Sequence, residues 1–143
     1  MTTSQLLENE EGKVMNKFDL VIASEVIEHV NNRKIFLGDI SNLCRAGGLV
    51  VFTTINKSFL GVLLGKYFAE DILKILPAGT HEVAKFISPK NLALEAERHG
   101  IVLDNFIGFT PTFGIKNMIN KEFGNFTLTS NMLVNYGAAG IKL

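Results

Sequence analysis

The fold of this chain is decided by the stretch Phe18-Asp-Leu-Val-Ile-Ala-Ser-Glu-Val-Ile-Glu-His-Val30 and, further along, by Ala46-Gly-Gly-Leu-Val-Val-Phe-Thr-Thr54. The first stretch opens with a short apolar run up to Ala23, which is typical of a strand covered on both faces. An acidic turn follows it. The second stretch opens with a glycine pair and continues as another apolar run, Leu49–Thr53, which predicts a second buried strand. Two such strands joined by a helix most simply form a right-handed parallel βαβ unit, so the sequence predicts an α/β fold.

The remaining elements are predicted from caps, periodicity and helix breakers. Asn31-Asn32 supplies an N-cap, and apolar residues recur at helical spacing up to Arg45, where Gly47-Gly48 is expected to end the helix. The elements predicted downstream are a helix from Ser88-Pro89 to Gly100, a strand over Ile101–Thr110, a loop over Pro111–Asn125, and strand-like segments over Asn131–Tyr136 and Ala138–Leu143.

Length and composition limit the classes of protein to consider. At 143 residues the chain falls within the range of one domain, with residues 1–16 as a loose lead-in. The net formal charge is zero and no basic run occurs, so a nucleic-acid footprint is absent. The single cysteine, Cys44, excludes an intramolecular disulfide and is expected to be a small apolar residue on a helix face. No signal peptide is evident, and no apolar run reaches the roughly 18 residues of a membrane span.

Polar side chains follow both predicted strands at their carboxyl ends, where ligands bind in open α/β sheets. They are Ser24, Glu25, Glu28 and His29 after the first strand, and Thr53, Thr54 and Asn56 after the second. If the first turn is helical, Glu25, Glu28 and His29 share one face. Two carboxylates and an imidazole that converge can bind a divalent ion such as magnesium, or can hold a general base. The structural alternative is a helix start that favours acids, with a hydrogen-bonded histidine.

Two further segments have open interpretations. His81 lies in a loop from Thr80 to Ile87, and it is either a catalytic group on a lid or part of a polar surface loop. Residues 58–77 are an insertion that is predicted to form an amphipathic helix with a narrow charged stripe. That helix packs in the core, or its apolar face over residues 58–76 lies on a membrane surface or covers an apolar ligand.

Several short motifs occur in a fixed order along the chain. They are Phe18-Asp-Leu-Val21, Glu25-Val-Ile-Glu-His-Val30, Gly47-Gly48, Thr53-Thr-Ile-Asn56, Gly79-Thr-His-Glu-Val-Ala-Lys-Phe-Ile-Ser-Pro89 and Val134-Asn-Tyr136. With these motifs the chain resembles the C-terminal part of a class I S-adenosylmethionine-dependent methyltransferase. The Gly-Thr-His and Val-Asn-Tyr motifs are narrower than the others, and they favour the ubiquinone-biosynthesis O-methyltransferases within that superfamily.

The resemblance implies a Rossmann-like class I methyltransferase sheet whose last strand is antiparallel. It implies S-adenosylmethionine as the cofactor, with a contact at Ser24, and Mg²⁺ held by Glu25, Glu28 and His29. His29, or His81 from the loop, would then take the proton of the substrate hydroxyl. The implied reaction is O-methylation of a polyprenyl catechol intermediate in ubiquinone biosynthesis.

The sequence also departs from that family. A complete member starts with an arginine-bearing helical lead-in, then a strand ending in a Gly-x-Gly-type loop, then a strand ending in an acid. None of these precedes Phe18, so about the first three strands and the glycine-rich loop are expected to be missing. Phe18–Ala23 would then be an exposed apolar edge. We therefore expect a partial methyltransferase domain over residues 1–143, which alone is at best a poor enzyme.

Two other functions stay open. The first is a non-enzymatic fragment that binds a membrane or a partner through residues 58–76. The second is methylation of another small hydroxylated substrate. The resemblance further implies contact with a ubiquinone-biosynthesis complex and a location at a membrane surface. That surface is the inner-membrane face of the bacterial cytoplasm or the matrix side of the mitochondrial inner membrane.

Overall fold

The computed structural model describes Gln5 and residues 14–58, 85–111 and 126–143. The helices and strands of these ranges are, in chain order, β1 (Phe18–Ser24), α1 (Arg33–Leu43), β2 (Cys44–Ile55), α2 (Pro89–Glu97), β3 (Ile101–Pro111), β4 (Phe126–Thr129) and β5 (Asn135–Lys142). β1 and β2 are parallel, which confirms the predicted βαβ unit. The predicted lead-in, apart from Gln5 and residues 14–16, and the insertion beyond Ser58 lie outside the described residues.

Both helices begin at the caps that the sequence predicts. Asn32 precedes α1, and its side-chain oxygen accepts a hydrogen bond from the Ile35 amide at 3.1 Å. Ser88 precedes α2, and its hydroxyl accepts one from the Asn91 amide at 3.3 Å, with Pro89 as the first helical residue. Each cap satisfies an amide that the helix itself leaves without a partner.

The end of α1 differs from the prediction. The helix stops at Leu43, and β2 begins at Cys44 and runs through the glycine pair that was expected to separate helix from strand. The reason is a bulge: Phe18 pairs with Cys44, whereas Leu20 already pairs with Leu49. Extra β2 residues therefore lie opposite a short piece of β1. A Cβ atom at Gly48 would lie 2.6 Å from Cys44 Sγ, so the bulge is packed too tightly for a side chain there.

The strands form one sheet in the order β1-β2-β5-β3-β4. β5 is antiparallel to both of its neighbours, β2 and β3, which agrees with the antiparallel last strand that the resemblance implies. β5 is continuous from Asn135, where the sequence predicted two segments divided at Gly137. β4 was not predicted, and it pairs with the end of β3 in antiparallel orientation.

The hydrophobic core lies on one face of the sheet, beneath α1 and α2. The helices contribute apolar side chains such as Phe36, Leu37 and Leu92, which pack on strand residues such as Val50 and Phe52. An ion pair between Arg33 and Glu95, at 3.1 Å, joins the two helices. Within the described ranges, no helix is long and apolar enough to cross a bilayer.

The prediction that the first strand is covered on both faces is wrong for the described part of the chain. In β1 only Ala23 is buried, while Phe18, Leu20 and Ile22 are exposed. The reason is that β1 is an edge strand and that α1 and α2 both pack on the same face of the sheet. This exposure agrees with the other expectation from the sequence, that Phe18–Ala23 forms an exposed apolar edge when no strand lies beside it.

Candidate active site

The carboxyl ends of β1 and β2 meet at one point because the strands are parallel and Ser24 pairs with Thr53. The two hydroxyls are hydrogen-bonded at 2.9 Å. The backbone amide of Glu25 donates to the Thr53 carbonyl oxygen at 2.9 Å and to its hydroxyl oxygen at 3.1 Å. Thr53 therefore holds Ser24, which the resemblance implies as a cofactor contact, and it also holds Glu25, where the acidic segment begins.

Glu25 has an unusual backbone conformation. Its φ of 51° lies in the left-handed region, which costs a residue with a side chain about 1–3 kcal/mol. The two hydrogen bonds from its amide to Thr53 hold it there. The turn that follows spans Ile27 to His29 and is too short to be a helix. The helical spacing assumed in the sequence analysis therefore does not apply.

Glu28 points into the protein. It is only 2% exposed, and its Oε2 accepts a hydrogen bond from the Thr54 hydroxyl at 2.9 Å. Its other oxygen, Oε1, is buried and has no hydrogen-bond partner among the described residues. A buried carboxylate oxygen without a partner is costly, so a cation or a hydrogen-bond donor would be stabilised there.

Glu25 and Glu28 form an interacting carboxyl pair. Partial burial and, next, the negative charge of Glu28 raise the pKa of Glu25 to about 7, although a hydrogen bond with the Thr53 side chain acts in the opposite direction. The charge of Glu28 therefore favours a proton on Glu25, or a cation close to both carboxyl groups. A carboxyl group with a raised pKa at the end of a parallel strand is typical of a functional site.

The third member of the predicted ligand set differs from Glu28 in its burial. His29 is exposed, whereas Glu28 is buried. Among the described residues, no group of three or more His, Cys, Asp and Glu side chains could hold a metal ion. The roles of Ser24, Glu25, Glu28 and His29 stay predictions, and His81 lies outside the described residues.

Tyr136, from the Val134-Asn-Tyr136 motif, also lies beside this site. Its position in the sequence did not indicate that it would. It pairs with Thr54 across β2 and β5, and it is fully buried. Its hydroxyl donates to the Ile87 carbonyl oxygen at 3.1 Å. Burial and then the charge of Glu28 raise the pKa of Tyr136 above its ordinary range, so it supports the site and does not exchange protons.

Two other residues singled out by the sequence have structural roles. Asn56 donates its side-chain amide to the Met132 carbonyl oxygen at 2.7 Å, which ties the end of β2 to the loop before β5. Cys44 is buried as expected, but in β2 and not on a helix face. Burial raises the pKa of its thiol, which makes the thiolate scarce and suits a packing role.

The parallel βαβ unit, continued by an antiparallel strand and with polar side chains at its strand ends, has the arrangement of an open α/β sheet of the Rossmann-like class. The chain belongs to the methyltransferase domain family, which matches residues 2–104. The fold agrees with solved SAM-dependent methyltransferases. One from Thermotoga maritima has a TM-score of 0.61 at 16% identity and covers 90% of this chain and 58% of that one. Another, from Archaeoglobus fulgidus, has a TM-score of 0.59 at 17% identity, and the match covers 99% of this chain and 66% of that one.

The chain is more similar in sequence to proteins named ubiquinone biosynthesis O-methyltransferase. It is 38% identical over 119 residues to that of Colwellia psychrerythraea, covering 83% of this chain and 45% of that protein. It is 35% identical over 128 residues to the Nitrobacter winogradskyi protein, covering 89% of this chain and 46% of that protein. It is 36% identical over 125 residues to the mitochondrial protein of Rattus norvegicus, covering 87% of this chain and 34% of that protein. The chain therefore spans just under half the length of these bacterial relatives and about a third of the mitochondrial one.

Proposed function

We propose that this chain carries the acceptor-side site of an S-adenosylmethionine-dependent O-methyltransferase that acts on a polyprenyl catechol in ubiquinone biosynthesis. The observation that carries the proposal is the Glu25–Glu28 carboxyl pair, held at the carboxyl ends of β1 and β2 by Thr53 and Thr54. The names of the relatives support the reaction and the pathway.

Methyl transfer requires that the methyl donor and the substrate hydroxyl are aligned and that the hydroxyl loses its proton. The methyl group passes in line from the sulfonium sulfur to the substrate oxygen, the hydroxyl proton goes to a base, and S-adenosylhomocysteine remains. His29 or His81 would accept that proton, because Glu25 is proposed below as a ligand of the metal ion. Ser24 would contact the cofactor at the same strand end.

A magnesium ion fits part of this site. Mg²⁺ binds to proteins through one or two carboxylates and keeps several waters, and the pair offers one carboxyl near neutral pKa and one buried oxygen without a described partner. Glu25 and Glu28 would hold the ion, while the exposed His29 fits a ligand role less well. When bound, the ion would lower the pKa of the substrate hydroxyls.

Residues 58–76 complete the proposal as a membrane contact. Their largely apolar sequence with a narrow charged stripe suits a helix at a bilayer surface, where a polyprenyl tail would reside. The proposed location is the inner-membrane face of the bacterial cytoplasm or the matrix side of the mitochondrial inner membrane. The names of bacterial and mitochondrial relatives support the two compartments, and the membrane face is part of the proposal. A short-tailed catechol methylated better than a long-tailed one would favour a small hydroxylated substrate instead.

The test is calorimetric titration of S-adenosylhomocysteine and, separately, of Mg²⁺ into the purified chain. We expect Glu25→Gln and Glu28→Gln each to abolish Mg²⁺ binding to the chain, while Glu97→Gln, on the exposed side of α2, leaves it unchanged. In a complete enzyme, the same two changes at Glu25 and Glu28 should abolish methyl transfer to a catechol. Unchanged Mg²⁺ binding in both site variants would remove the metal. A folded chain that binds neither cofactor product nor Mg²⁺ would favour the non-enzymatic alternative.

A further inference from the structure

The two helices meet in a groove that contains a cavity with mostly cationic walls. The cavity has a volume of about 240 Å³. We call it the helix groove; its lining consists of Lys34 and Leu37 from α1, Glu95 from α2, and Arg98 and His99 directly after α2. Lys34 and Leu37 are three residues apart and so share one face of α1. None of the lining residues belongs to the candidate site at the ends of β1 and β2.

The one acid in this lining is already paired. Arg33 of α1 donates to both carboxylate oxygens of Glu95, from Nε to Oε2 at 3.1 Å and from Nη2 to Oε1 at 3.4 Å. Lys34 and Arg98, by contrast, form no ion pair with an acid in the described part of the chain. The helix groove therefore presents two cationic side chains that no described carboxylate holds at ion-pair distance.

Contacts from other elements fix the wall of the helix groove at His99. Ser41 of α1 is buried, and its hydroxyl donates to the His99 carbonyl oxygen at 2.6 Å. Lys142 of β5 donates in turn to the Ser41 hydroxyl oxygen at 2.5 Å. The His99 ring lies against Gly38, where a Cβ atom would be 3.5 Å from Nδ1. This wall is therefore preorganised, which lowers the entropy cost of binding a ligand.

Charge, donor type and size together indicate the class of ligand. An arginine guanidinium presents its N–H groups in a planar fork that matches two phosphate oxygens, and a lysine adds a compact positive charge. Leu37 is fully buried and forms an apolar wall, which excludes water and so strengthens a charge interaction beside it. The volume of about 240 Å³ is below the roughly 300–1,000 Å³ of pockets for drug-sized ligands. It suits a phosphate group with a small attached part.

We propose that the helix groove binds a phosphate group, with Arg98 and Lys34 as its cationic ligands and the His99 ring beside them. The phosphate group belongs to a small soluble molecule or to the headgroup of a phospholipid, since both present the same oxygens. This site goes beyond the proposed methyl transfer, in which no phosphate takes part. The competing explanation is that Arg98 and His99 do no more than offset the negative end of the α2 dipole.

The first test titrates inorganic phosphate into the full chain by calorimetry, in EDTA so that no metal ion bridges the two. We expect saturable one-to-one binding that Arg98→Gln weakens by about tenfold, because the change removes charge-assisted hydrogen bonds. Lys34→Gln is an independent second variant and should weaken binding by about threefold. Arg45→Gln is the matched control, since Arg45 is also exposed, pairs with Asp19 and lies outside the lining, so it should leave the affinity unchanged.

Vesicles distinguish the two sources of the phosphate group. Phosphatidic acid mixed into phosphatidylcholine presents a phosphomonoester at a membrane surface, and vesicles of phosphatidylcholine alone are the reference. Co-sedimentation with the mixed vesicles that Arg98→Gln reduces and Arg45→Gln does not would identify a lipid headgroup, even if residues 58–76 also contact the bilayer. Binding of inorganic phosphate without this difference on vesicles would identify a small soluble ligand.

Lys34 and Arg98 are exposed, so both variants should fold, and thermal melting of each checks this. A folded chain that binds neither inorganic phosphate nor the mixed vesicles would overturn the inference. So would equal affinities of Arg98→Gln and Arg45→Gln for both probes, since Arg98 would then act on the helix dipole alone. No methyl transfer, Mg²⁺ or S-adenosylhomocysteine binding is measured, so failure of this inference and failure of the proposed function are distinguishable.

Discussion

At the scale of single residues, the position of the Glu28 carboxylate depends on Thr54. The Thr54 hydroxyl donates to Glu28 Oε2 at 2.9 Å, and Oε1 has no hydrogen-bond partner among the described residues. Thr54→Val keeps the shape of the side chain and removes the donor, which leaves a buried carboxyl group without it. We expect the free energy of unfolding, measured in urea, to fall by about 1–3 kcal/mol.

A double-mutant cycle separates this hydrogen bond from packing. Glu28→Leu removes the acceptor, so Thr54→Val should cost little in that background. An equal cost in both backgrounds would show that Thr54 contributes packing alone and does not position the carboxylate.

The pKa of Glu25 predicts how stability depends on pH without metal. Its pKa rises from an ordinary value of 4.5 to about 7 in the folded chain, first through partial burial and then through the charge of Glu28. The folded state thus binds the proton more tightly than the unfolded state, so the stabilising effect is complete below about pH 4.5 and is lost as the pH rises through about 7. The urea midpoint in EDTA should therefore fall over this range more steeply than for Glu25→Gln, with Glu97→Gln as the control. Parallel curves for the chain and Glu25→Gln would contradict the shifted pKa.

At the scale of elements, Gly38 and Gly48 should respond in opposite ways to replacement by alanine, because only Gly38 has room for a Cβ atom. Gly38 lies inside α1, where a Cβ would be 3.5 Å from the His99 ring, an ordinary contact. Gly48 lies in the β2 bulge, where a Cβ would be 2.6 Å from Cys44 Sγ and 2.9 Å from the Arg45 carbonyl oxygen. We expect Gly38→Ala to stabilise by about 0.5–1 kcal/mol and Gly48→Ala to destabilise by about 1–3 kcal/mol in urea unfolding. Both changes restrict the unfolded chain equally, so a shared sign would refute the packing explanation.

At the scale of the whole molecule, the strand order predicts where the sheet opens first. β5 lies between β2 and β3, whereas β1 and β4 each have one neighbour among the described strands. Amides of residues 135–142 should therefore exchange most slowly, and those of 18–24 and 126–129 most quickly among the strands. Exchange in β1 as slow as in β5, in a dilute monomeric sample, would contradict its position at an edge.

The sequence by itself determined the elements whose causes are local. Apolar runs and caps at Asn32 and Ser88 predicted the parallel βαβ unit and the starts of both helices, because these signals act within a few residues of chain. The ordered motifs indicated the methyltransferase family, to which the chain belongs. Position at the strand ends was also enough to select Ser24, Glu25, Thr53 and Thr54 for inspection.

Only the tertiary structure decided what those residues do with one another. The bulge at Gly48 depends on the pairing of Phe18 in β1 with Cys44 in β2, and the buried Glu28 accepts its hydrogen bond from Thr54 in β2. The turn that carries the exposed His29 follows Glu25, which Thr53 holds in a left-handed conformation. Leu20 and Leu49 are exposed because both described helices, α1 and α2, pack on the other side of the sheet. Contacts between residues far apart in the chain set each of these features, and such contacts leave no periodic or spacing signal in the sequence.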